Sequence, residues 1–243
     1  RPETVLATAE AGVVPFVLAS IRHRIERPLI VVVPTVARMQ QVVEGLATFE
    51  EEQWPSMEPV LSFEANDVSA YHEISPVRAL AQGRVAAAYR ISQGFGVSAI
   101  VLPAEALLVR TLDAATLDSV TAMASRGDEL DRLELAEQLV AGGYERVPVV
   151  EDPGTFCIRG GVVDVWSPLY DQPARIDFFG DDVEEIRFFD PEDQSTGGHL
   201  VDLIMPPARE LILSPDRMAT ILDRVTDLAN TQGIGNIELR ALT

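Results

Sequence analysis

Apolar residues recur along this chain in two rhythms, and the rhythm changes near residue 117. Before that point, short apolar runs alternate with longer segments whose apolar positions fall three and four apart. Pro15 suits the first turn of a helix through 16-FVLASIRHRI-25. The run 28-PLIVVVP-34 has strand length and no polar break, which predicts a strand buried on both faces. Residues 36–49 read as a helix and 59–63 as a strand. Residues 75–91 read as a helix, with Ser75 as N-cap and Pro76 in its first position. The run 98-SAIVLP-103 predicts another buried strand. Strands alternating with helices predict an α/β class with a parallel sheet.

Beyond that point strands come in quick succession. Residues 117–123 read as a strand, and 128–144 as an amphipathic helix stopped by Gly142 and Gly143. Further strands are expected at 145–150, 154–158 and 161–167, and in the hairpin 174-ARIDFFGDDVEEIRFFD-190. A helix followed by a meander predicts a small α+β domain. The polar stretch 191-PEDQSTGGH-199 reads as an exit linker, and Ser214 with Pro215 opens a last helix over 215–230.

Composition narrows the function classes. The chain has 243 residues, 47% of them hydrophobic, enough to bury a core. It opens on Arg1 and closes on Arg-Ala-Leu-Thr, which predicts a piece of a longer protein. No apolar run is long enough to span a bilayer, and no signal peptide is visible, so no membrane partner is expected. One cysteine, Cys157, excludes an internal disulfide and fits a reducing cytoplasm. Formal charge is −19, and all 19 basic residues are arginine. Tracking a phosphate backbone needs clustered positive charge, so this segment is not expected to bind nucleic acid itself.

Catalytic constellations are sparse. A P-loop needs a lysine after its glycines to reach the terminal phosphates, and the chain has none. The corresponding loop reads 9-AEAGVVP-15, an acid and bulky apolar residues in place of an anion cradle. Gly233 and Gly235 form a lone Gly-x-Gly after a helical pattern, which reads as a turn. Cys157, between Phe156 and Ile158, reads as buried and inert. His23 lies between arginines, His72 has no nucleophile beside it, and His199 lies in the polar stretch. The acidic groups at 50–52, 181–182 and 190–193 could hold magnesium but read as solvated turns. No catalytic, metal or cofactor residue is therefore assigned.

One feature resists a purely structural reading. In 174-ARIDFFGDDVEEIRFFD-190, Ala174, Ile176 and Phe178 fill one face of a strand, leaving Arg175, Asp177 and Phe179 on the other. Between Glu151 and Asp193 there are twelve acids and only Arg159, Arg175 and Arg187 as bases. These arginines could simply neutralise carboxylates across the sheet. Alternatively, an aromatic beside arginine is the composition of a protein–protein hot spot. Strand geometry makes Arg187 and Phe189 neighbours of Arg175 and Phe179 on the next strand. Composition leaves both readings open.

The run 159-RGGVVDVWSP-168 followed by 174-ARIDFFGDDVEEIRFFD-190 resembles the UvrA-interacting domain shared by UvrB and the transcription-repair coupling factor. Upstream, 69-SAYHEISPVRALAQGR-84 and 140-VAGGYERVPVVEDPGTFCIRGG-161 resemble the N-terminal UvrB-like module of the bacterial coupling factor, Mfd. The similarity runs from about Thr8 to Leu213. It implies a degenerate RecA-like parallel-sheet domain with an inserted small α+β UvrA-interaction domain. The division expected is 1–117 for the first part, 118–207 for the insertion and 208–243 for a return to the first. UvrA is the implied partner, contacted through Arg159, Arg175 and Phe179 by motif alignment; Arg187 and Phe189 are added from strand geometry. RNA polymerase and double-stranded DNA would bind through regions further along the longer protein, which the resemblance implies is an ATP-dependent translocase. The alternative is a fragment of UvrB or of another ATP-dependent helicase or nuclease. UvrB, however, carries a working P-loop and a DNA-gripping hairpin, for which there is no room between Phe63 and Pro103. A general acidic mimic of DNA is a further rival.

Overall fold

A computed structural model describes residues 11–22, 24–25, 28–53, 60–65, 77–94, 96–212 and 215–231. Strands β1 (Leu29–Val33), β2 (Val60–Ser62) and β3 (Ala99–Pro103) form a parallel sheet in the order β1-β3-β2. Helices α1 (Val14–Arg22) and α2 (Val36–Gln53) cover one side, where Ala19, Val33, Met39, Val42, Leu46 and Val101 share a core. The two helices approach closely at Gly45, where a Cβ would lie 2.6 Å from Cγ of Pro15. Strand β1 departs from expectation. Its Ile30 and Val32 are 69% and 49% exposed, because β1 lies at a sheet edge with one face packed on α2.

Helix α3 (Arg78–Gln93) ends at Gly94, whose φ of 64° lets its N–H cap the carbonyls of Arg90 and Ile91. The caps expected at Ser75 and Pro76 lie outside the described residues, as do His23, His72, Ser214, Gly233 and Gly235. This helix ties the parallel sheet to the later part of the chain. Buried Arg84 donates to Glu210 Oε1 at 2.7 Å and to the Glu64 carbonyl, and lies 4.4 Å over the Phe63 ring. Gln82 donates to the Pro153 carbonyl, and Arg90 to that of Leu169, each at 2.8 Å.

The stretch expected as a strand at 117–123 is instead helix α4 (Ala114–Val120) followed by strand β4 (Ala122–Ser125). The Asp113 carboxylate accepts from the Thr116 N–H at 2.7 Å, and this cap starts the helix one turn before buried Leu117. Helix α5 (Arg132–Ala141) begins at Asp131, whose carboxylate accepts from the amides of Leu133 and Glu134. It therefore starts later than expected. The residues before it pair with the hairpin instead: Gly127 N–H donates to Val183 O and Leu130 N–H to Asp181 O, both at 2.8 Å.

Strands β5 (Glu145–Arg146), β6 (Thr155–Arg159), β7 (Val162–Val165), β8 (Ala174–Phe179), β9 (Asp182–Phe189) and β10 (Thr196–Leu200) form a second sheet in sequence order. The β5–β6 pair is parallel and the rest are antiparallel. The expected linker at 191–199 thus holds an edge strand. Every residue from Thr196 to His199 is exposed, so no apolar pattern announced it; pairing with β9 makes it a strand. Strand β11 (Asp202–Met205) pairs with β4. One face of the six-stranded sheet packs Phe156, Val163, Ile176 and Ile186 against Leu135 and Leu139 of α5 and Leu203 of β11. Residues through Glu210 form one compact unit, and α6 (Pro215–Thr231) lies in a second. The class is mixed α+β, and no described helix is long and apolar enough to cross a membrane.

Candidate docking face

Two tight hairpins set the geometry. The β6–β7 loop is Gly160–Gly161 and the β8–β9 loop is Gly180–Asp181, with φ of 59° at Gly160 and 65° at Gly180. A two-residue loop with positive φ at its first position matches the right-handed twist of the flanking strands. Register is fixed accordingly: Arg159 faces Val162, and Phe179 faces Asp182. A bulge between Asp177 and Phe178 leaves Glu184 without a partner on β8. It lets Val183 and Ile186, three residues apart, both face the core.

On the opposite face, register builds two rows across the strands. The first runs Cys157–Asp164–Arg175–Arg187–His199 through β6, β7, β8, β9 and β10. The second runs Arg159–Val162–Asp177–Glu185. Asp164 is the hub, with its side chain 1% exposed. Its Oδ1 accepts from Arg175 Nε at 2.7 Å, and its Oδ2 from Arg175 Nη2 at 2.9 Å and Arg159 Nη2 at 2.5 Å. The fork on Arg175 is the bidentate geometry that makes guanidinium–carboxylate pairs strong. Hydrogen bonding to Asp164 raises the pKa of Arg175 above its already high ordinary value, so it stays charged.

The five expected contact residues occupy unlike environments. Phe179, at the open end of β8, is 72% exposed. The Arg159 side chain is half exposed and Arg175 is 18% exposed. Arg187 is engaged by Asp177 at 2.5 Å and Glu185 at 3.1 Å, and Glu185 also meets His199 Nδ1 at 3.0 Å. Phe189 corrects the expectation of an exposed neighbour: it is 1% exposed. The Arg175 guanidinium lies 4.7 Å over its ring, and Val150 and Cys157 pack beside it. It can support the face from beneath but not touch a partner.

Cys157 is buried as expected, and burial pushes its thiol pKa up, followed by the charge of Asp164. Asp181 lies in the hairpin turn and Asp182 opens β9, and Asp190 and Asp193 accept the backbone amides of Glu192 and Ser195. Among the described residues no group of three His, Cys, Asp or Glu could hold a metal ion. Two residues that matter were missed. Asp164 stood among the acids without a role, and Gln194, which accepts from Arg175 Nη2 at 2.9 Å, was placed in a linker.

Comparison with known proteins places this face inside a named segment. Residues 123–211 match a family model described as "UvrB interaction domain". The chain is 36% identical over 225 residues to a transcription-repair-coupling factor of Myxococcus xanthus, covering 92% of this chain and 19% of that protein. It is 26% identical over 207 residues to the factor of Bacillus subtilis, covering 85% and 17%. It is 25% identical over 249 residues to UvrABC system protein B of Thermotoga maritima, covering 95% and 35%. The chain thus spans between 17% and 35% of the length of these relatives. The resemblance to the UvrB-like module of the coupling factor, read from the sequence, is borne out.

Proposed function

We propose that the outer face of the six-stranded sheet docks UvrA, and that through it the chain recruits nucleotide excision repair to stalled RNA polymerase. The observation that carries this reading is Phe179, a large apolar side chain 72% exposed on the same sheet face as Arg159 and Arg175, inside the segment matched by the UvrB interaction model. A partner pocket would bury the ring, and partner carboxylates would pair with the guanidiniums of Arg159 and Arg175. Because UvrB carries the same type of face, the two proteins would bind UvrA in turn.

On this reading residues 1–117 are a degenerate RecA-like support, 118–207 the docking domain and 208–243 the return to the first. The segment acts as a non-catalytic scaffold in the cytoplasm, without a cofactor. RNA polymerase, double-stranded DNA and the ATP-driven motor belong to regions beyond it. Calorimetric titration into UvrA tests the proposal, using the native chain, Arg175→Ala and Phe179→Ala, with circular dichroism to confirm folding. Native binding with a loss of about 2 kcal/mol or more for each folded variant is expected. No native binding, or equal binding by folded Phe179→Ala, would overturn it.

A further inference from the structure

We propose that Gln194 is a positioning residue for the docking face, holding the Arg175 guanidinium through the Nη2 hydrogen that Asp164 does not take, so that one nitrogen, Nη1, is presented to the partner. The inference rests on the docking reading and names a residue that reading does not use.

Gln194 is the one non-glycine residue with positive φ among the described residues, at 63°. Its turn is tightly determined. The Gln194 N–H donates to Asp190 O at 2.8 Å, the Asp190 N–H to Ser195 O at 2.9 Å, and the Ser195 N–H to Asp193 Oδ1 at 2.8 Å. A helical turn closed by a left-handed residue normally has glycine or asparagine at that position. Glycines stand nearby at 197 and 198, yet glutamine occupies the strained site. A strained backbone kept by its surroundings points to a job for the side chain.

The side chain has two hydrogen bonds. Its Nε2 donates to the Pro191 carbonyl at 3.2 Å, which orients the amide, and its Oε1 accepts from Arg175 Nη2 at 2.9 Å. Nη2 has two hydrogens, and Asp164 and Gln194 take one each. Nε is also taken by Asp164, and the Phe189 ring closes the underside. Only Nη1 makes no hydrogen bond among the described residues. The partner group for it is an acceptor, a carboxylate or a carbonyl. An unclamped arginine would first have to lose its side-chain freedom on binding; here the chain has already fixed it.

The test is substitution at 194 with two readouts. Gln194→Gly removes the clamp and the positive-φ strain together, so the fold should be kept or strengthened. Its affinity for UvrA should fall about tenfold, the scale of one hydrogen bond to a charged group. Gln194→Glu keeps an acceptor oxygen at the same backbone strain and should restore affinity. In an Arg175→Ala background Gln194→Gly should add nothing. The second readout needs no partner: side-chain NMR of Arg175 should show separate Nη signals from hindered rotation, with exchange between them faster in Gln194→Gly, where only the Asp164 fork still holds the group. Native-like affinity in a folded Gln194→Gly chain, or unchanged Arg175 signals, overturns the clamp. If native chain fails to bind UvrA while the clamp signals are present, the docking role falls and not the geometry.

Discussion

The two faces of the six-stranded sheet are made by the same strands and stabilised by different physics. The inner face is a single apolar cluster in which Ile176, Ile186 and Val163 reach 0% exposure. Its contributions are short-ranged and non-directional, and its packing is close. The outer face is a chain of charges whose members depend on one another. Asp164 holds two guanidiniums, leaving that group at net +1, whereas Arg187 meets two carboxylates, Asp177 and Glu185, leaving that group at net −1. Phe179 stands free on the same face. A sheet that needed only stability could fill such a face with short polar side chains. This one places arginines in bidentate and stacked geometries that lysine could not reproduce.

The largest effect expected is on the inner face. Ile176→Ala should cost about 2–5 kcal/mol in denaturant unfolding, because the site lies mid-sheet between neighbours that cannot collapse onto the cavity. At temperatures where the variant is still folded, its UvrA affinity should be native. A folded Ile176→Ala chain with weakened docking would show that the two faces are coupled through the backbone rather than separate.

Asp164→Ala should come next, at about 2–3 kcal/mol, with an effect on docking as well. It leaves the mostly buried Arg175 without its carboxylate, the situation in which removing one partner costs more than the pair is worth. Losing stability and affinity together is what separates this hub from both Ile176 and Phe179. If affinity survived in folded Asp164→Ala, Arg175 would not need its clamp. Arg187→Ala should weaken docking by less, about 0.5–1 kcal/mol, since Asp177 and Glu185 already occupy its guanidinium. Unchanged affinity in the titration would remove Arg187 from the site.

The same physics decides how far each face was legible in the sequence. The inner face repeats with the period of a strand, so Ala174, Ile176 and Phe178 announced themselves, and the 174–190 hairpin was readable as two such runs. The outer face depends on register between strands that are not joined by a short loop. Between Asp164 and Arg175 lies the connection 166–173, too long to count register across, so their pairing could not be read. Phe189 was misjudged for a related reason. Alternation assigns it to the outer face, but Val150 and Cys157 build a second small core there, which alternation cannot foresee. Strand β10 has no apolar residue before Leu200, and its turn had the composition of a linker. Helix α4 was hidden because seven residues capped by Asp113 are too few to show a helical period against a neighbouring strand.

The smallest effect expected lies in the turn that carries Gln194. Hydrogen bonds from the hydroxyl and amide of Ser195 hold the Asp193 carboxyl below its usual pKa. A folded value below the unfolded one means that this bond stabilises the turn above the ordinary carboxylate pKa, about 3.9. That stabilisation is lost as pH falls through the lower, folded value. An NMR titration of the Ser195 amide should therefore show a midpoint below that of a short peptide of the same sequence. Exchange between the Arg175 Nη signals should quicken over the same range, because Gln194 is held by that turn. Asp193→Asn should abolish the pH step while leaving the unfolding midpoint of the inner core unchanged at neutral pH. A Ser195 midpoint equal to the peptide's would detach the turn from the clamp. Gln194 would then keep its positive φ by backbone hydrogen bonds alone, and the outer face would have one fewer group acting through another.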